Sequence, residues 1–191
     1  RWVLATANRG KTAELATLAR RSGLELDIVS QTELGVPPVP ETASTFVENA
    51  LIKARHASRV TGLPAIADDS GLAVDALGGA PGVWSARYAG PEADDRANIT
   101  KLLGALQPYQ GPHTARFHCV LVAMRSSDDP APCMAVGEWR GEIIGTERGS
   151  HGFGYDPIFF DPRLGKTAAE LAPADKNAIS HRGDAFRGLV E

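Results

Sequence analysis

Cysteine is scarce in this sequence. Cys119 and Cys133 are the two present, and they form neither a C-x-x-C pair nor a Cys/His metal spacing, which excludes a disulfide framework and a structural zinc site. They read as reduced, partly buried thiols of a cytoplasmic protein. Long apolar runs are also missing. None approaches the ~20 residues needed to cross a bilayer, and residues 1 to 20 carry charges where a signal peptide would be apolar, so neither membrane span nor leader is expected; the missing initiator Met reads as a trimmed or partly ordered start. There is no Lys/Arg run, and the formal net charge of -3 gives no general attraction to polyanions, so no nucleic-acid polymer is expected as a partner. The histidines include no H-x-x-x-H pair and no G-x-S-x-G occurs, which disfavours a zinc hydrolase and leaves covalent nucleophilic catalysis without a home. What is there is ordinary for a globular chain. With 43% hydrophobic and 23% charged residues over 191 positions, one domain over 1–191 can build a full core.

The order of elements follows from periodicity. WVLAT at 2 to 6 reads as a strand and 10 to 22 as a helix, a β-loop-α opening. LDIVS at 26 to 30 reads as a second strand, and the three prolines of VPPVPE at 36 to 41 force an extended loop that delivers Glu41. Phe46, Ala50, Leu51, Ala54 and Ala57 give the stripe of a helix over about 45 to 60, capped by Thr42 or Ser44, with Asn49 and Lys53 four apart on one side. PAIADDSGLAVDAL reads as a buried strand running into an acidic turn and out again, followed by a flexible GGAPG at 78 to 82. A helix at 92 to 106, long hairpin strands at 115 to 124 and 132 to 144, a short strand at 156 to 160 and a helix from about 173 complete a mixed α/β unit.

Several constellations can carry chemistry. GKT at 10 to 12 resembles the end of a Walker loop, but Ala5 takes the place of its leading glycine. In ADDSG at 67 to 71, neighbouring carboxylates on an extended strand end diverge, so Asp69 with the loop-borne Glu41 offers Mg²⁺ the one or two carboxylates it needs beside water and phosphate. The alternative is that Asp68, Asp69 and Ser70 make turn hydrogen bonds. Lys176, His181 and Arg182 either bind phosphate or carbonyl oxygens or form a solvated helix face. Phe153, between Gly152 and Gly154, either offers a base a stacking face, with Asp156 placed to read a ring N-H, or is a core aromatic of a glycine-relieved turn. Trp84, Arg87 and Tyr88 sit in a loop that is either a flap or a subunit contact. His118, alternating in an apolar strand, reads as a satisfied structural histidine.

TANRGK, ETASTFVENALIKARHA, ADDSGLAVDALGGAPGVWSARY, FGYDPIFF, GKTAAEL and KNAISHRG, in this order over nearly the whole chain, closely resemble the inosine/xanthosine triphosphatase family, the noncanonical purine NTP pyrophosphatases. In that light Lys11 belongs to a T-x-N-x-x-K motif with Thr6 and Asn8. The resemblance implies an α/β fold with an elongated mixed sheet, flanking helices and two lobes around a central nucleotide cleft. It implies a homodimer that hydrolyses ITP, dITP and XTP to monophosphate and pyrophosphate with Mg²⁺, for which Mn²⁺ is a possible substitute. Carried over by motif, Thr6, Asn8, Lys11 and Lys53 hold the triphosphate, Glu41 and Asp69 the metal, and Asp69 accepts the proton of the attacking water. Ser70 contacts substrate, and Phe153 lies over the base, with Gly154, Tyr155, Asp156, Lys176, His181 and Arg182 completing the nucleoside pocket.

Base selection has a chemical requirement of its own. Inosine differs from adenosine by a 6-keto oxygen and an N1-H, so the site needs a donor at O6, from Arg182, His181 or a backbone N-H, and an acceptor at N1, for which Asp156 serves. A site of that kind rejects the wrong base by roughly 10⁴ to 10⁵ fold. Two further readings remain: a house-cleaning pyrophosphatase of another base specificity, and a nucleotide-binding module without turnover.

Overall fold

The computed structural model describes residues 1–24 and 26–191. Seven strands form one mixed sheet in the order β2-β1-β3-β4-β5-β6-β7: β1 (Trp2–Ala5), β2 (Ile28–Ser30), β3 (Ala65–Val74), β4 (His113–Met124), β5 (Cys133–Ile143), β6 (Phe159–Asp161) and β7 (Lys166–Thr167). The helices are α1 (Arg9–Arg21), α2 (Phe46–Thr61), α3 (Asp95–Leu106), α4 (Pro173–Ile179) and α5 (His181–Val190). Strand β1 runs parallel to β2 and β3, while β6 is antiparallel to β5 and β7. The fold is thus the mixed α/β class that the pattern implied.

Two compact units are distinguished, Arg1–Asp69 with Cys119–Gly137 and His181–Glu191, and Ser70–His118 with Glu138–Ser180. In the first, the small side chains of Ala50, Ala54 and Ala57 let α2 lie close on Val3, Ala5, Ala65, Ala67 and Val120, which buries apolar area without demanding space for bulk. On another cluster of this unit, Leu15 and Ala19 of α1 meet Leu4, Ile66, Leu121, Ala185 and Phe186. Helix α5 presses on the backbone of β5 so closely that a Cβ at Gly137 would stand 2.0 Å from the His181 carbonyl oxygen. In the second unit, Leu72, Ile99, Leu102, Phe117, Trp139 and Phe159 share one core. The Phe117 and Phe159 rings lie 4.4 Å apart, and Trp139 meets Phe159 edge-on at 5.1 Å, the tilted geometries that ring quadrupoles prefer.

Four expectations need correction. ADDS is no turn: β3 runs unbroken over ten residues through it, because the two carboxylates meet cations and so tolerate a central strand. The cap of α2 is Thr45, not Thr42 or Ser44; its Oγ1 accepts the Glu48 N–H. The strand foreseen at 156 to 160 begins only at Phe159. The closing helix is two helices, since Ser180, a residue that favours helix boundaries, is extended at φ -72 and ψ 161.

Candidate active site

Consecutive residues of a strand face opposite ways, so β3 sends Asp68 and Asp69 into different surroundings. Asp68 is fully buried. Its Oδ1 lies 2.6 Å from Lys11 Nζ, its Oδ2 accepts from Arg182 Nε at 2.7 Å, and Cys119 Sγ donates to the same Oδ2 at 3.3 Å. Arg182 also pairs with Glu14. Burial pushes the Asp68 pKa up, but Arg182 and Lys11 outweigh it and hold the carboxyl well below its ordinary value. Burial works the same way on Arg182, pulling it down, and Asp68 and Glu14 carry it above its usual value. Cys119, buried beside a carboxylate, is pushed well up and stays a thiol.

Asp69 faces Lys53. The ammonium donates to Asp69 Oδ1 at 2.6 Å, to Glu41 Oε1 at 2.9 Å and to the Asp68 carbonyl at 2.7 Å, which accounts for the three protons an ammonium has. Burial, joined by the Glu41 charge, raises the Asp69 pKa against the opposing pull of Lys53 and Lys11. For Lys53, burial pulls down and Asp69 and Glu41 win, leaving it raised. Helix α2 also fixes the loop that carries Glu41. The buried Asn49 side chain accepts the Ala43 N–H and donates to the Ala43 carbonyl, while His56 Nε2 lies 2.9 Å from the Pro37 carbonyl. The helical spacing of Asn49 and Lys53 therefore gives one residue that holds the loop and one that meets its carboxylate.

Around one cation, then, gather two carboxylates and a carbonyl, all hard oxygen ligands. Among the described residues no group of three or more His, Cys, Asp and Glu is placed to hold a metal ion. Two carboxylates drawn to a single positive charge fit an ion such as Mg²⁺, which takes few protein ligands and completes its shell with water and phosphate.

Thr6 and Asn8 shape the start of α1: Thr6 Oγ1 accepts the Asn8 N–H, and Asn8 Oδ1 accepts the Lys11 N–H as the helix cap. His181 and Arg182 open α5 and are buried at 3% and 1% exposure, so the solvated helix face does not hold. Lys176 is on α4, which belongs to the second unit. Ser70, half-buried, begins that unit on β3.

In the second unit the segment after Gly152 is built around Phe153. Asp156 is buried, and its Oδ2 accepts both the Phe153 N–H at 3.0 Å and the Lys176 ammonium at 2.5 Å. A Cβ on Gly152, whose φ is +79, would stand 1.9 Å from that oxygen, so glycine is required there. Lys176 Nζ lies 5.0 Å from the centre of the Phe153 ring, within cation-π range. The Tyr155 hydroxyl donates to the Ser85 carbonyl, and burial, then Tyr88 and Asp95, raise its pKa. The polar groups of Asp156 and Tyr155 thus serve the loop, a task the proposed reading of N1-H did not foresee. The Phe153 ring itself is half-buried.

Sequence reasoning missed Glu14 and Asp95. Glu14 lies three residues after Lys11 on α1, a spacing that shares a helix face; Asp95, which accepts the Gly154 N–H at 2.7 Å, has no local signal beyond its place in a helix's first turn.

Fold and site together define a mixed α/β protein whose sheet carries two buried carboxylates back to back, one neutralised by cations and one held with Glu41 around a single positive charge. The Ham1 family model matches residues 2–191, and the chain belongs to the Ham1 family. It is 60% identical over 190 residues to the dITP/XTP pyrophosphatase of Erwinia tasmaniensis, covering 99% of this chain and 92% of that protein. It is likewise 60% identical to the dITP/XTP pyrophosphatase of Pectobacterium atrosepticum, over 99% and 95%. Among solved structures, a HAM1 protein from Coxiella burnetii superposes with a TM-score of 0.90 at 54% identity, over 98% of this chain and 95% of that one.

Proposed function

We propose that this protein is a nucleoside triphosphate pyrophosphatase that removes abnormal purine nucleotides, converting dITP, ITP and XTP to the monophosphate and pyrophosphate. The observation that carries the reading is the division of labour at β3, where Asp68 is locked between Lys11 and Arg182 and Asp69 shares one cation with Glu41. Relatives of 60% identity bearing the name dITP/XTP pyrophosphatase support it. We treat residues 1–191 as one functional domain and as one half of a homodimer acting on the cytoplasmic nucleotide pool; no helix among the described residues is long and apolar enough to cross a membrane.

Glu41 and Asp69 would hold the divalent cation, Mg²⁺ with Mn²⁺ as a substitute. Bound there, it supplies neutralising charge to phosphate oxygens and acidity to water. Asp69 takes the proton of the water that attacks the α-phosphorus, a task suited to a carboxylate made more basic by burial. Lys11 and the first-turn amides of α1, together with Thr6 and Asn8, receive the triphosphate, where helix N-termini favour negative charge. Lys53 has its donors committed to Asp69, Glu41 and the Asp68 carbonyl, so it reaches a phosphate by giving up one of them. At the other end of the substrate Phe153 stacks on the base, with Ser70, Gly154, Tyr155, Asp156, Lys176, His181 and Arg182 in supporting places.

A panel of ITP, XTP, ATP, GTP and a modified pyrimidine triphosphate, with Mg²⁺ and with chelator, tests this. Metal-dependent turnover of ITP and XTP above the others is the expected result. Preference for the pyrimidine would assign the protein to another house-cleaning specificity, and calorimetric ITP binding without turnover would make it a binding module.

A further inference from the structure

Phe153 stands between two residues with left-handed backbone, Gly152 at φ +79 and Gly154 at φ +61, and a glycine-flanked aromatic has freedom that its own segment does not remove. Two carboxylates restrict it. Asp156 takes the Phe153 N–H from within the same segment and meets the Lys176 ammonium, so it fixes the turn's internal shape, while its carbonyl accepts the Ala169 N–H. Asp95 takes the next amide, that of Gly154, across 59 residues of sequence. It sits in the first turn of α3, whose cap Asp94 accepts the Ala97 N–H at 2.7 Å. Helix α3 is itself anchored: Ile99 and Leu102 lie in the core, and the buried Asn98 side chain bonds the Ala89 N–H and the Ala86 carbonyl. Beside helix and segment is a pocket of about 230 Å³ whose lining includes Asp95, Arg96, Ile99, Glu147, His151 and Phe153. Helix and segment thus share the lining of an open pocket, and the Asp95–Gly154 bond joins them beside it.

We propose that Asp95 is a positioning residue for base recognition: by holding the Gly154 amide to α3 it sets where the Phe153 ring stands, and so governs affinity for the purine without touching it. The proposal rests on the reading that Phe153 stacks on the base. A charged acceptor makes the stronger kind of amide hydrogen bond, and its loss releases the ring to positions that do not meet the base.

The test separates the base end of the substrate from the phosphate end. Inhibition constants for inosine monophosphate and for pyrophosphate, and kcat and KM for ITP, are measured for the wild type, Asp95→Ala, Asp95→Asn, Phe153→Ala and the Asp95→Ala/Phe153→Ala pair. Asp95→Ala is expected to weaken inosine monophosphate and raise KM by roughly fivefold, the net worth of one hydrogen bond. Pyrophosphate inhibition should hold and kcat change less than KM, with Asn, still an acceptor, restoring most of the loss. In the Phe153→Ala background the same substitution should cost nothing further, the sign of action through that ring. Equal loss of inosine monophosphate and pyrophosphate, or full additivity of the two substitutions, would overturn the proposal. If Phe153→Ala leaves inosine monophosphate binding unchanged, the stacking reading falls and takes the proposal with it; if only Asp95→Ala is silent, the proposal alone falls.

Discussion

Asp68 and Asp69 are chemical twins, one position apart, in opposite surroundings, and replacing each by asparagine is expected to separate stability from turnover. Asp68 has no exposed surface and neutralises the buried Arg182 and the half-buried Lys11. An asparagine there keeps the volume and loses both ion pairs, leaving Arg182 with Glu14 as its charged partner. Breaking a buried pair by removing one charge costs about 3 to 5 kcal/mol, a large share of the about 5 to 15 kcal/mol that holds a domain folded. For a chain of this size that lowers the melting temperature by about 10 °C. Asp69 differs because its burial already disfavours its charge, and Lys53 keeps Glu41 and the Asp68 carbonyl when the charge goes. Asp69→Asn should therefore stay within about 1 kcal/mol of the wild type, the scale of an ordinary substitution, while turnover falls by about 10² fold or more with loss of the base. Urea unfolding and pyrophosphate release from ITP read the two quantities. An Asp68→Asn protein of wild-type stability, or near-normal turnover by Asp69→Asn, would refute the assignment.

Phe153→Ala should weaken every purine nucleotide by about 1 to 3 kcal/mol, the worth of a base-aromatic stack, as read by calorimetry; unchanged affinity contradicts the stacking. Gly137→Ala should destabilise by about 3 kcal/mol, the upper range for overpacking, because its Cβ meets backbone atoms of α5 at 2.0 and 2.5 Å and no flexible side chain is there to yield; a melting curve like the wild type's would show that α5 does not bear on β5. Arg182→Ala should lose about 3 to 5 kcal/mol through the broken pair with Asp68 and narrow the preference for ITP over ATP, and an untouched preference removes Arg182 from O6 recognition.

Local pattern was enough where local pattern decides the structure. The β1–α1 opening follows from alternation then helical spacing, and α2 from its alanine stripe. Its true cap was also on the page, since Thr45-Phe46-Val47-Glu48 has the Ser/Thr-x-x-Glu signature of a helix start. Two misreadings share one cause. ADDS looks like a turn to any propensity scale, and becomes a central strand because Lys11, Lys53 and Arg182 arrive from α1, α2 and α5, the last across 114 residues. The same distance hides the burial of Arg182 and leaves SHRG looking like a wet helix face. The carboxylates themselves were legible from the family motifs, but which of them is locked and which shares a cation with Glu41 depends on strand pleat and on those distant partners. Asp95 was invisible for the same reason, its partner being an amide with no side chain to mark it.

The central claim is that water attacks the α-phosphorus, and oxygen labelling tests it directly. Hydrolysis of ITP in H₂¹⁸O should place the label in inosine monophosphate and leave the released pyrophosphate unlabelled. Label in pyrophosphate, or release of orthophosphate with a nucleoside diphosphate, would mean attack at another phosphorus and would contradict the account.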